Sequence, residues 1–184
     1  MTAGDHPLWA ALECYRVGPV DAALSFETKL ARENGWSAPH ADRVMAEYRR
    51  FLFLAMTAGH VAVPSDAVDQ AWHLHLTYSR DYWDRLCGEV LGQLLHHGPT
   101  AGGRAEGDRY FALYTDTLAS YERAFGVSPP ADIWPSGWQR FHIDPRARRV
   151  RLAEVWILPR RGVRLGVMAI AVIAGAGVAL WLLS

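Results

Sequence analysis

Between Pro39 and Ala58, the residues Val44, Met45, Tyr48, Phe51, Leu52, Ala55 and Met56 recur at intervals of three and four. At 3.6 residues per turn this spacing draws one apolar stripe along an α-helix, with Arg43, Glu47, Arg49 and Arg50 falling off it. A strand would need alternation, and the only candidate stretch is Val150–Leu158. The chain is therefore expected to be all-α. A striped helix must lay its apolar face against other elements, so the rest of the sequence has to supply them.

Three further segments do so. Pro19 to Asn34 carries Val20, Ala23, Leu24, Phe26 and Leu30, a spacing that predicts a helix ended by Gly35. Ser65, after Pro64, is an N-cap, and Asp66 and Asp69 stand in the first turn where the helix dipole favours acids; a helix is expected from there to about Leu86. Gly88, Gly92, Gly98-Pro99 and Gly102-Gly103 then predict a loop-rich connection over about 87–104. Helical spacing resumes from Glu106 to Phe125 through Tyr110, Leu113, Tyr114, Thr117, Leu118 and Tyr121, and Gly126 stops it. Pro129, Pro130 and Pro135 forbid another helix, so 128–138 is expected to run extended, with Trp134 and Trp138 packed across the bundle. With 51% hydrophobic residues in 184, one core is within reach. Residues 1–138 should form a compact bundle of four to five helices with a loop-rich insertion.

The C-terminal part reads differently. Leu165 to Leu183 is a run of 19 uncharged residues, which as a helix reaches roughly 28 Å, close to the ~30 Å hydrocarbon thickness of a bilayer. Residues 163–184 are expected to be a transmembrane helix, and 139–162 a basic juxtamembrane linker holding Arg140, Arg146, Arg148, Arg149, Arg151, Arg160 and Arg161. By the positive-inside tendency the chain is expected to be a single-pass protein of the cell membrane with its N-terminal domain cytoplasmic. The bilayer is then one partner, and another membrane protein a second. The 19 basic and 19 acidic residues cancel, so nucleic acid is not expected as a partner. No secretory signal is read at the N-terminus, and Cys14 and Cys87, which form no Cys-x-x-Cys pair, are both expected as buried thiols.

The chemistry-bearing residues are histidines. His73 and His75 lie on the third helix, and His96-His97 on the loop that follows. At about 100° per residue, His73 and His75 stand roughly 200° apart, so a regular helix cannot aim both at one ion. His75 adjoins the inward stripe of Val68, Trp72, Leu76, Ser79, Trp83 and Leu86; His73 lies on the polar side, four residues after Asp69, which can hold its tautomer. One constellation takes His75 with His96 and His97 and adds Asp69, with Glu106 and Asp108 as further carboxylates, around a zinc or iron ion. The other makes His75 a core histidine satisfied by its neighbours, His73 a solvated side chain, and His96-His97 a loop docked by hydrogen bonds. No nucleophile elbow or phosphate-binding glycine loop is present, and no residue is assigned a catalytic role.

The stretches Glu47 to Leu54, Pro64 to His75 and His96 to Thr100 resemble the glycine-rich domain-containing protein-like family, in which a Val-Asp-x-x-Trp-His-x-His segment leads into a helix bearing Tyr and Trp. The resemblance covers about residues 25–135; the glycine-rich region that names plant members is missing. It implies a shared role for Asp69, Trp72, His73 and His75, extended by His96 and His97, and it implies no reaction. The function expected from all of this is an interaction or scaffold module anchored by its tail in the membrane. The alternative is a metal-dependent, hydrolase-like enzyme using the His/Asp cluster.

Overall fold

The helix drawn by the stripe is the centre of the fold. In a computed structural model, which describes residues 2–19, 21–98 and 102–143, five α-helices form: α1 Pro7–Cys14, α2 Phe26–Asn34, α3 Ala38–Thr57, α4 Asp66–Thr77 and α5 Arg104–Phe125. A 3-10 turn at Ala3–Asp5 precedes them, and π-helical segments span Asp81–Leu91 and Gln139–Ile143. No strand occurs among the described residues, so the all-α expectation holds. No helix among them is long and apolar enough to cross a membrane. The transmembrane helix of 163–184, the candidate strand Val150–Leu158 and the basic linker beyond Ile143 lie outside the described residues.

Helix α3 packs against α1, α2, α4 and α5. Val44, Met45, Tyr48, Phe51 and Leu52 of its stripe are buried, and so are Phe53 and Leu54 beside it. The stripe widens because α1 and α5 close the far side: Phe53 meets Trp9 and Phe125 with ring centres 5.9 and 5.7 Å apart. Each such buried side chain contributes about 1.5–3 kcal/mol. Glu47 is the exception to the expected polarity, since only 4% of it is exposed. Its carboxylate accepts from Arg50 at 2.7 Å and from the Trp134 indole N–H at 3.0 Å. Trp134 is thus packed as expected and 2% exposed, whereas Trp138 is 61% exposed and stacks on His142 at 4.0 Å.

The Ser65 cap operates as read, and two further serines act in the same way. Ser25, Ser37 and Ser65 each accept a hydrogen bond from the backbone N–H three residues on, at 3.2, 3.4 and 3.3 Å, and caps of this kind are worth about 1 kcal/mol. Because Ser25 is the cap, α2 begins at Phe26, not at Pro19. Helix α1 was not drawn by any stripe; it opens on Pro7, preset for a first turn, with the His6 ring accepting from the Leu8 N–H at 3.1 Å. It leaves Cys14 exposed, while Cys87 is buried.

The third helix departs most from expectation. It stops at Thr77, where Tyr78 adopts φ −88° and ψ 57°, and the chain resumes as the wide π-helical segment Asp81–Leu91. Gly88 does not break this segment; Gly92, at φ +68°, does. The loop therefore begins at Gly92, later than the expected 87.

Candidate metal centre

Helix α4 turns its two histidines apart, and each finds a different environment. His75 is completely buried. Its Nε2 lies 2.9 Å from Asp81 Oδ1 and its Nδ1 2.9 Å from the Tyr48 hydroxyl. A carboxylate only accepts, so Nε2 carries the hydrogen and Nδ1 accepts from Tyr48. Asp81 also accepts from the Tyr15 hydroxyl, from the Gly18 N–H at 3.0 Å and from the Arg85 guanidinium. Burial lowers the pKa of His75 against the upward pull of Asp81, so the imidazole is neutral at pH 7. For Asp81 burial pulls upward, but the hydrogen bonds from Tyr15, His75 and Gly18 outweigh it and the carboxyl sits below its usual value. Burial raises the Tyr48 hydroxyl. Both ring nitrogens of His75 are thus engaged, one as donor and one as acceptor.

The pairing of His75 with His96 or His97 consequently does not form. Asp81 is the partner that sequence reasoning missed, because it stands off the inward stripe of a helix expected to run unbroken to about Leu86. Six residues along a regular helix put two side chains roughly 240° apart, and only the break at Tyr78 turns Asp81 back toward His75.

On the other face, Asp69, His73 and His97 come together, each offering one ligand atom and all three atoms within 4.8 Å of one another. Asp69 Oδ1 is 2.9 Å from His97 Nε2, and Asp69 Oδ2 is 3.9 Å from His73 Nε2. With metal–ligand bonds of about 2.1 Å, tetrahedral ligands stand roughly 3.4 Å apart, a value those two separations bracket. The spacing is thus one at which the three residues could hold a single ion. The two imidazoles lie 4.4 Å apart between ring centres, and the Trp72 ring meets His97 edge-on at 4.5 Å. His73 is 50% exposed, while Asp69 and His97 are each about one-fifth exposed, so the group sits at the rim with one side open.

Of the four residues expected at a metal, Asp69 and His97 meet here. His96 is exposed, its ring 5.5 Å from Trp83, and His75 is sealed inside. His73, expected only to lean on Asp69, joins them as the third member of the group. Glu106 and Asp108 stand in the opening turns of α5 and are not members of the group. The i, i+4 spacing of Asp69 and His73 was the legible signal; the choice of His97 over His96 depends on how the loop is held.

No curated protein and no solved structure matches this chain. The family model matched here carries no glycine-rich name. Residues 23–108, running from just before α2 into the first turn of α5 and holding Asp69, His73, His75, Asp81 and His97, match the model of the UCP032817-like family.

Proposed function

We propose that this helical domain binds a divalent transition metal, zinc(II) or iron(II), through Asp69, His73 and His97. The observation that supports it is the convergence of an i, i+4 carboxylate–imidazole pair on α4 with a loop imidazole, their ligand atoms within 4.8 Å. Two imidazoles and one carboxylate suit both ions, and three protein ligands leave room for a water or for a donor group from a partner. The ion would take the place of the hydrogen now shared between His97 Nε2 and Asp69, the neutral imidazole then carrying its hydrogen on Nδ1.

The 19-residue apolar run and its arginine flank support a membrane anchor with the helical domain on the cytoplasmic side. The Asp-x-x-Trp-His-x-His motif supports kinship with the glycine-rich domain-containing protein-like family. Together these favour a metal-binding interaction module carried at the membrane. Hydrolysis by a metal-bound water would use the same open side. Binding is the reading preferred, because the one carboxylate of the group is itself a ligand and so is not free to take the water's proton.

Elemental analysis of full-length protein purified without a histidine tag tests this directly. One equivalent of metal per chain is expected in the native protein, with a fall to trace levels in Asp69→Asn and His73→Ala. Trace levels in the native protein after incubation with zinc(II) and iron(II) would end the proposal.

A further inference from the structure

The choice of His97 over His96 needs a cause, and the structure offers one just below the site. Tyr82 is fully buried, and its hydroxyl makes two hydrogen bonds. It accepts from the Trp72 indole N–H at 2.8 Å and donates to the backbone carbonyl of Leu95 at 2.5 Å. Trp72 is the residue whose ring edge meets His97, and Leu95 is two residues upstream of His97 on the same loop. Between them His96 rests on Trp83. Three consecutive loop residues are thus held from beneath: Leu95 by its carbonyl, His96 by ring contact, and His97 by Trp72 and Asp69.

From this geometry we infer that Tyr82 is the positioning residue of the metal site, its hydroxyl locking Trp72 and the Leu95 carbonyl so that His97 stands at Asp69 before any ion arrives. The inference rests on the metal-binding reading and deepens it. It also gives the motif a division of labour: Asp69 and His73 are ligands, Trp72 braces the third ligand, and His75 fixes the helix that carries them. Tyr82 acts through Trp72 and the Leu95 carbonyl rather than through a hydrogen bond of its own to a ligand among the described residues. Pre-placing a ligand avoids ordering it during binding, and partners of metal ligands commonly change affinity 10–100-fold when removed.

The test is zinc(II) binding by the full-length protein, measured by competition with cobalt(II), in native, Tyr82→Phe, His97→Ala and doubly substituted forms. Tyr82→Phe keeps the ring and removes the hydroxyl, and is expected to weaken zinc(II) 10–100-fold. Because Tyr82 acts through His97, the double variant should bind no more weakly than His97→Ala alone. Affinity of Tyr82→Phe within twofold of native, or losses that multiply in the double variant, would overturn the inference while leaving the metal site standing. No uptake by the native protein removes both. Should Tyr82→Phe fail to fold, backbone order parameters of the native protein freed of metal by a chelator decide the matter. Values for Leu95–Gly98 near ~0.85 are expected, and values below ~0.6 that rise only on adding zinc(II) would show that the ion, and not Tyr82, sets the loop.

Discussion

His73 and His75 are two residues apart on one helix, yet they differ in almost every physical respect. His75 is sealed, neutral and saturated by Tyr48 and Asp81; His73 is half in solvent with Asp69 at one side and the His97 ring at the other. Identical side chains therefore carry opposite commitments. A histidine with both nitrogens bonded inside a core is part of the scaffold, and a histidine with a free lone pair at a rim is available for chemistry.

The sharpest way to break this contrast is to truncate each histidine in metal-free protein. His75→Ala should cost about 3 kcal/mol, since it opens a cavity and strips a partner from Tyr48 and Asp81, lowering the melting temperature by roughly 6–12 °C. His73→Ala should stay within about 0.5 kcal/mol. Equal losses would erase the distinction. Next in size is the response to zinc(II): at about a hundredfold over its Kd it should stabilise the native protein by about 2.7 kcal/mol. Tyr48→Phe, which disturbs only the sealed histidine, should keep that increment, and His73→Ala should lose most of it in the same calorimetric scan.

Acid sharpens the comparison further. The pKa of His75 is lowered in the folded state, so below about 6.5 the unfolded chain binds a proton that the folded chain refuses. Its contribution is complete above that pH and is lost as the pH falls, by at most about 1.4 kcal/mol per pH unit for one proton. Metal-free melting should therefore drop more steeply between pH 7.5 and 5.5 in the native protein than in His75→Gln. Smallest of all, Trp138→Ala, at an exposed ring stacked on His142, should shift stability by no more than about 0.5 kcal/mol. A loss of several kcal/mol there would mean that the ring is covered.

Much of the fold was legible because local signals and packing agree. The stripe of α3, the Ser65 cap and the glycine after α5 all sit where they were read. The opposite facing of His73 and His75 followed from helical geometry alone. What was not legible depends on partners far along the chain or on irregular backbone. Glu47 is buried because Trp134, 87 residues later, brings an indole N–H to it. Asp81 and Tyr82 reach their targets only because α4 breaks at Tyr78 and the chain re-forms with wider turns, which no periodicity announces. Asp69 and the loop histidine of the sequence reading do come together, but with His73 and not His75, since the bonds that consume His75 come from that same irregular segment.

Asp81 and Tyr82 are neighbours in the chain, one bonded to the sealed histidine and the other to the indole that braces the rim. The two environments are thereby geared to a single step of about 3.8 Å along the backbone. Deleting or inserting one residue between Tyr78 and Asp81 would disengage both at once, so this short span tolerates changes of residue type far better than changes of length. Just beyond Gly92, the Gln93–Leu94 stretch is exposed and can lengthen toward solvent without moving either gear.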